Sequence, residues 1–375
     1  MSLQMPLLLV VMMITAAYSL GYKTMLSKRR CVIMVTLVMA LFSGLRSWWM
    51  GDLIKYYTLF RSCTGPEWQT FLYADGENQG IRWFFHYADV LGISYDSCIL
   101  IIAVFSAATL GLLVYRYSPS PYWSYMIYIS MGFYLFTYSG LKQTIAMGFL
   151  SLAVMRMFEG KFWRFLLWVL VAAWFHAPAL IFLAAYPFCR QRFTRWYFIV
   201  LAALFAAMFL FRNQIVRLLT EFYYEEQDTY EMVSATEVGG RFLMMLFILA
   251  VGLVMRPLNK WDEQYLQVFN LMILAAALQT MSVFDHNFTR LADYYYQFIV
   301  LYIPMMMETG SSQARKLPQY RQEIRYWAFN TYVYLGLGIT LFGLWFYHNT
   351  IDSSWTILKD FVFRWQIDPY SLYGG

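Results

Sequence analysis

Long apolar runs alternate with short polar or basic connections along almost the whole chain. A helix needs about 20 apolar residues to cross the hydrocarbon of a bilayer, and most of these runs approach that length. No internal repeat or low-complexity segment interrupts them, so we expect a single domain, 1–375, with longer polar outer loops at 50–96 and 213–240. The candidate spans are approximately 5–22, 31–49, 97–115, 121–137, 143–157, 195–212, 241–256, 263–283, 290–307 and 326–346.

The composition agrees with a lipid environment. The chain is 60% hydrophobic and only 13% charged, with a mean hydropathy of +0.48. Water-soluble domains carry about 25% charged residues. We therefore predict an all-α, polytopic integral membrane protein with about eleven or twelve membrane-embedded segments. The aromatic content of 21% suits interfacial belts and a cavity that handles sugars.

The distribution of Lys and Arg predicts the orientation. The first connection contains Lys23, Lys28, Arg29 and Arg30, so it should face the cytoplasm. The first span, which no basic segment precedes, should be uncleaved and should begin outside. The basic residues of the next two inner turns are Arg116, Arg156, Lys161 and Arg164.

Segment 162–188 is basic at both ends. A single crossing would divide Lys and Arg evenly between the two faces, whereas a hairpin that returns to the cytoplasm places the excess inside. Each arm of the hairpin has about 13 residues and spans about 20 Å, which is too short to cross. We therefore predict a re-entrant hairpin that turns at Phe175-His176-Ala177-Pro178, with both chain termini outside.

Four basic residues lie at span ends on the predicted outer face, where the orientation rule disfavours them: Arg46, Lys142, Arg241 and Arg290. Any one of them could extend to the surface or pair with Asp52 or Asp285. Four cations at one depth, however, suit a lipid pyrophosphate, because guanidinium groups bind phosphate oxygens in a bidentate manner.

Two further features point to a polar site at the same depth. His176 lies at the hairpin turn, where a functional role and a hydrogen bond in a helix interface are equally compatible with the sequence. Arg290, Asp293, Tyr294 and Gln297 recur at i, i+3, i+4 and i+7, so they form one polar stripe that should line a cavity.

Other chemistries receive little support. The four cysteines show no metal-ligand spacing, and Cys63 and Cys98 on the outer face are expected as free thiols rather than a disulfide. No nucleotide-binding glycine loop or zinc-protease motif is present, so no cofactor and no metal are expected. The acidic, aromatic stretch 221–237 is interpreted as a solvated loop whose rings could stack on sugars.

Three short motifs resemble the EpsG-type, Wzy-like polysaccharide polymerases. Gly44-Leu45-Arg46 followed by Gly51-Asp52 and Tyr56 is similar to the family's Arg-x-Gly-x-Asp-x-x-x-Tyr element. Gln143 with Ile145-Ala146 is similar to Arg-Gln-x-x-Ala, although Lys142 replaces the arginine. Phe175-His176 before Ala177-Pro178-Ala179-Leu180 is similar to His-x-Ser-Ala-Leu.

The resemblance implies a metal-independent glycosyltransferase of the bacterial cytoplasmic (inner) membrane. It would polymerise undecaprenyl-pyrophosphate-linked oligosaccharide donors and acceptors at the outer face, for O-antigen, capsule or exopolysaccharide. A chain-length regulator protein is compatible as a partner, and nucleic acid is not expected. Within this scheme His176 or Asp52 would serve as catalytic base, and the four cations would bind pyrophosphate.

The expected sugar-binding or positioning residues are Gln143, Asp285, Asp293 and Tyr294. Two alternative functions remain open. A flippase or sugar transporter would also carry intramembrane charge, although it more often shows two related halves. A membrane O-acyltransferase would also use a buried histidine.

Overall fold

The computed structural model describes residues 25–47, 52–66, 68–73, 79–191, 195–211, 240–255, 263–281 and 287–314, with short pieces at 7, 10–15, 214, 336–341 and 343–344. Every regular element within these ranges is a helix, as the apolar pattern predicts. In chain order they are α1 (Met25–Gly44), α2 (Leu53–Thr64), α3 (Trp68–Tyr73), α4 (Gln79–Val90), α5 (Tyr95–Tyr117), α6 (Pro121–Ser130), α7 (Phe133–Phe136), α8 (Leu141–Phe158), α9 (Phe162–Phe175), a 3-10 helix (Ala177–Ala184), α10 (Ala185–Cys189), α11 (Arg195–Leu210), α12 (Gly240–Met255), α13 (Glu263–Met281), α14 (Asn287–Tyr296) and α15 (Ile299–Ala314).

The helices form one bundle whose central members are α5, α8 and α13. α1 packs along α5, α8 packs between α5 and α9, and α13 contacts α10, α12, α14 and α15. Among the described helices, only α5 is both long and apolar enough to cross a membrane by itself, with a mean hydropathy of 2.5. α9, α12 and the segment Ala177–Cys189 contain apolar stretches that are shorter than a full crossing.

The chain reverses direction at His176, so the turn of the predicted hairpin is present. α9 ends at Phe175, His176 adopts an extended conformation (φ −150°, ψ 100°), and the 3-10 helix returns alongside α9. At the other end of the hairpin the Tyr186 hydroxyl donates to the carbonyl of Gly160 at 3.1 Å. The start of the first arm and the end of the second arm therefore lie side by side, and we call this the Gly160 end of the hairpin. The opposite end, at the turn, is the His176 end.

A buried asparagine holds the returning arm in place. The Asn270 side-chain amide donates to the carbonyls of Cys189 (3.2 Å) and Gln191 (3.1 Å), and its oxygen accepts from the Tyr197 hydroxyl at 2.9 Å. Asn270 is completely buried on α13. Because the chain after α10 has left regular helix, these bonds satisfy backbone carbonyls that would otherwise be unpaired.

The Gly160 end carries the basic turn that the sequence predicts. Arg156 and Lys161 donate to the Glu159 carboxylate at 2.8 and 2.7 Å, and Arg116 lies 3.8 Å from it. The hydrogen bonds from Lys161 and Arg156 lower the pKa of Glu159. The Glu159 carboxylate therefore pairs with three basic side chains that come from two neighbouring connections between helices.

Three short helices occupy most of the predicted outer connection 50–96. α2 and α4 share a core in which Phe60, Phe85 and Tyr95 are packed edge to face or tilted. Period-3.6 burial along α4 explains the helix, since Ile81, Phe85 and Ala88 fall on one face. Cys63 and Cys98 are buried within this core as free thiols, as are Cys31 and Cys189 elsewhere.

α4 also reaches the hairpin turn. Its Gly80 lies so close to the backbone of Trp174 and to Phe175 that a Cβ there would need those groups to shift. The small residue thus lets the helical region 53–90 pack directly beside His176.

Two predicted spans are interrupted. The expected span 121–137 breaks at Met131-Gly132, where Gly132 has φ +82°, and the expected span 290–307 breaks between α14 and α15. Neither break was expected, because both runs remain apolar enough to look continuous. The left-handed conformation at Gly132 is one that other residues rarely adopt.

A proline in α15 is compensated by a serine from α6. Pro304 has no amide hydrogen, so the carbonyl of Val300 lacks its helical donor. The Ser124 hydroxyl donates to that carbonyl at 2.6 Å, and it also bonds the Ser118 hydroxyl at 2.7 Å. Both serines are buried, so these bonds pin α6 to α15.

Ser124→Ala should destabilise the fold, because it leaves the Val300 carbonyl buried without a donor, at a cost of about 1–3 kcal/mol. Thermal unfolding in detergent should show a lower midpoint. Pro304→Ala supplies an amide to Val300, so Ser124→Ala should cost less when both changes are combined. An equal cost in both backgrounds would show that the serine acts elsewhere.

Candidate functional site

The hairpin turn brings His176 against helix α14. The Nδ1 atom of His176 is hydrogen-bonded to the hydroxyl of Tyr294, which is fully buried. The two residues are 118 positions apart in sequence, and both were expected at the site. Because the contact joins the turn to a residue near the end of α14, it fixes the plane of the imidazole ring.

A second contact joins α8 to α14. The buried side chain of Gln143 donates through Nε2 to the backbone carbonyl of Arg290 at 2.7 Å. Gln143 lies in the first turn of α8, and Arg290 lies in the first turn of α14. The amino-terminal ends of two helices, which carry partial positive charge, are therefore held side by side next to His176.

Two cations act on the imidazole ring of His176. Lys142 and Arg290 both exert a positive electrostatic influence on it. Lys142 is half-buried, whereas the Arg290 side chain is exposed. A ring nitrogen and two cations are thus close to one another at this site.

Tyr56 belongs to the same group of residues. Its hydroxyl accepts a hydrogen bond from the Lys142 amide at 3.4 Å, and it lies within electrostatic range of Asp52 and Arg290. Burial raises the pKa of Tyr56 to about 12, so the phenol stays protonated. The sequence provided only one signal for this residue, its position one turn after Asp52. We call these residues, His176, Tyr294, Lys142, Gln143, Arg290 and Tyr56, the His176 cluster.

Asp52 lies at the edge of the cluster and faces solvent. Its side chain is 48% exposed and lies 3.6 Å from Lys55, one turn further along α2. It precedes α2 but makes no capping hydrogen bond through its side chain. Its exposure leaves it accessible to a ligand.

Arg46 occupies a different position from the other cations. It is only 2% exposed and donates to the carbonyl and hydroxyl of Ser43 and to the carbonyl of Thr137 at 3.0 Å. Its guanidinium also lies over the ring of Tyr138, 5.1 Å from the centroid. These hydrogen bonds from the guanidinium join the end of α1 to the segment between α7 and α8.

Arg241 is paired with Asp293. The two side chains form a salt bridge with side-chain exposures of 29% and 13%, and the guanidinium lies over Tyr296 at 4.8 Å. Asp293 directly precedes Tyr294, so this pair adjoins the His176 cluster along α14. The stripe was expected to line a cavity. Within it, Asp293 and Tyr294 contact protein partners, whereas Gln297 lines a cavity.

Several expectations lie wholly or mostly outside the described residues: Asp285, the acidic stretch 221–237, the outer loop 213–240, the candidate span 326–346 and the location of both chain termini. Within the described ranges, no three His, Cys, Asp or Glu side chains come together as metal ligands. The groups that the described site offers to a ligand are therefore cations, hydroxyls, an amide and an imidazole. Such a set can bind an anion and accept a proton from a hydroxyl.

Comparison with known proteins supplies a family. Neither the curated proteins nor the solved structures contain a significant match to this chain. The model of the EpsG family, in contrast, matches residues 29–354 and so spans α1, the His176 cluster and every helix through α15. The chain therefore belongs to the EpsG family, a Wzy-like family of polysaccharide polymerases.

Proposed function

We propose that the protein polymerises oligosaccharide repeat units carried on undecaprenyl pyrophosphate, at the outer face of the bacterial cytoplasmic membrane. Membership of the EpsG family supports a polysaccharide polymerase role and an association with membranes. The observation that carries the finer proposal is the His176 cluster, in which an imidazole lies beside two cations and two helix amino termini.

Arg290 and Lys142 are the proposed ligands of the donor pyrophosphate. Arg290 is exposed, so its guanidinium can present two parallel donors to phosphate oxygens. Lys142 supplies a point charge where the family has an arginine. The amino termini of α8 and α14 add oriented amides and partial positive charge, which favour a bound phosphate. These groups would stabilise the charge that develops on the leaving pyrophosphate.

His176 is the proposed general base. The acceptor hydroxyl oxygen forms a bond to the anomeric carbon of the donor sugar while the bond from that carbon to the pyrophosphate oxygen breaks. The lipid pyrophosphate leaves with the bonding electrons, and the acceptor proton passes to Nε2 of His176. This requires a lone pair on Nε2, so Nδ1–H must donate to the Tyr294 oxygen. Tyr294 is thus a positioning residue that holds the imidazole ring, with its oxygen as the acceptor in this proposal.

The other expected cations have supporting roles in this proposal. Arg46 holds the connection between α7 and α8, and so positions Lys142 and Gln143 at the start of α8. Arg241 is neutralised by Asp293 and would reach a phosphate only if that pair opened. In this proposal Arg290 and Lys142, rather than Arg46 and Arg241, therefore form the pyrophosphate site.

Several helices are proposed to be immersed in lipid, with the His176 end outside and the Gly160 end in the cytoplasm. α9 supports this, because Trp163, Leu167, Leu170 and Trp174 form an exposed apolar stripe opposite its buried face. α1 and α12 expose similar large apolar residues. The cations around Glu159 at the Gly160 end agree with a cytoplasmic location.

Cysteines introduced at Arg164 and Gln191, which are exposed on the two sides of the hairpin base, should both react with a membrane-impermeant maleimide only from the cytoplasmic side. A cysteine at Leu91, after α4, should react from outside. The native cysteines are buried, so the parent chain serves as the control. Labelling of Arg164→Cys and Gln191→Cys from opposite sides would contradict the hairpin topology.

His176→Gln should abolish chain extension while donor binding persists, because glutamine retains hydrogen bonding but has no basic ring nitrogen that can accept a proton. Tyr294→Phe should retain slow extension with an altered pH–rate profile, since the base remains but its ring has lost the hydrogen bond at Nδ1. Product ladders and donor binding should be measured on well-expressed protein. A complete ladder from His176→Gln would remove this residue from catalysis, and Asp52 would become the leading candidate base.

Arg290→Ala should reduce the rate of polymerisation by about 10- to 150-fold, which corresponds to the 1.5–3 kcal/mol of a charge-assisted hydrogen bond. Lys142→Arg should remain active, because it restores the residue type of the family. Arg164→Ala is the matched control, since Arg164 is an exposed arginine at the opposite end of the hairpin. Equal rates for Arg290→Ala and Arg164→Ala would refute the assignment of Arg290.

A further inference from the structure

A cavity rich in hydroxyl groups lies inside the bundle, beside the His176 cluster. Its volume is about 20 Å³, which is room for about one water molecule, and it is bounded by α5, α6, α7 and α8 and by Gln297. Its polar lining consists of Ser106, Thr109, Thr137, Thr144, Ser151 and Gln297. This many polar side chains around one internal space is costly inside a bundle unless each has a hydrogen-bond partner.

One of these side chains has no protein partner. The hydroxyl of Thr144 is buried, its residue is 3% exposed, and no described residue accepts or donates to it. Other hydroxyls of the lining bond to their own helices, as Thr109 does to Phe105 and Ser151 does to Met147. Thr144 is therefore the polar group that a ligand in this cavity would satisfy.

The cavity lies where both interrupted helices break. Tyr128 and Phe133, on either side of the Gly132 break, form one wall, and Gln297, at the break between α14 and α15, forms another. Gln297 donates to the carbonyl of Tyr294 at 3.2 Å, so the cavity adjoins the residue that holds His176.

A second, smaller cavity of about 10 Å³ adjoins the first. It shares Ser106, Tyr128 and Thr137 with the first and also borders Ser43, which accepts a hydrogen bond from Arg46. The residues that line the two cavities therefore include one neighbour of Arg46 and, in Gln297, one neighbour of Tyr294.

We propose that the larger cavity is a binding site for ordered water, anchored by the Thr144 hydroxyl and shared with Ser106 and Gln297. Buried water characteristically forms two to four hydrogen bonds to polar groups that the protein leaves unpaired, and a hydroxyl-lined cavity meets that need. The bound water bridges the two helix breaks and keeps the interior beneath His176 polar. This inference stands independently of the proposed polymerase activity.

Synchrotron hydroxyl-radical labelling of the intact protein tests the site, because radicals generated from bound water modify the side chains next to it. Met147 lines the cavity on α8 and is 7% exposed. Met126, 5% exposed on α6, and Met155, 1% exposed on α8, do not line it and are the controls. Oxidation of Met147 on the millisecond timescale should be several-fold faster than that of both controls. Equal rates at all three would overturn the proposal.

Thr144→Val provides a second test, because the direction in which it shifts the unfolding midpoint depends on whether water is bound. If water is bound, removing the hydroxyl breaks its anchoring bond, so the unfolding midpoint should fall and the labelling of Met147 should slow. If the cavity is dry, valine removes an unsatisfied hydroxyl without changing the shape, so the midpoint should rise. Ser151→Ala is the control for loss of a hydroxyl that already has a helical partner. A raised midpoint with unchanged labelling would contradict the water site.

Discussion

A helix that stops inside a bundle leaves backbone and side-chain groups that the surrounding protein has to satisfy, and the stop at Phe175 imposes this constraint on the whole structure. The backbone at the turn is paired locally, since His176 donates to Ala172 and accepts from Ala179. The imidazole is held by Tyr294 from α14. The returning arm is held by Asn270 at its far end. The reversal therefore determines where α13 and α14 must lie, and it places a titratable ring at one end of the molecule.

The basic residues that were predicted at one depth differ in their partners and in their exposure. Arg46 is buried against carbonyls and an aromatic ring, Arg241 is neutralised by Asp293, and Arg290 remains exposed. A buried guanidinium with committed donors holds elements together, whereas an exposed one beside two helix amino termini can bind an anion. This difference accounts for the assignment of the pyrophosphate to Arg290 and Lys142, and of structural roles to the other two.

Much of the fold follows from the sequence, because apolar runs of helical length have few alternatives to a helical bundle. The short arms and basic ends of 162–188 were enough to predict the hairpin and its turn, and His176, Tyr294, Gln143 and Arg290 do meet. The helices within 50–96 were missed because they depend on tertiary packing around Phe85, and the breaks at Gly132 and Gln297 were missed because the runs that contain them look continuous in sequence. The partners of Arg46 could not be foreseen either, since Thr137 lies 91 residues away.

The central claim is that the His176 cluster transfers an oligosaccharide from a lipid pyrophosphate to an acceptor hydroxyl. The most direct measurement uses purified protein in lipid vesicles with undecaprenyl-pyrophosphate-linked repeat units as the only substrate, and resolves the products by size. A ladder of polymers spaced by one repeat unit is expected, with release of undecaprenyl pyrophosphate in proportion to the bonds formed. Transport of the lipid-linked unit across the vesicle membrane without any ladder would contradict the central claim and would indicate a flippase.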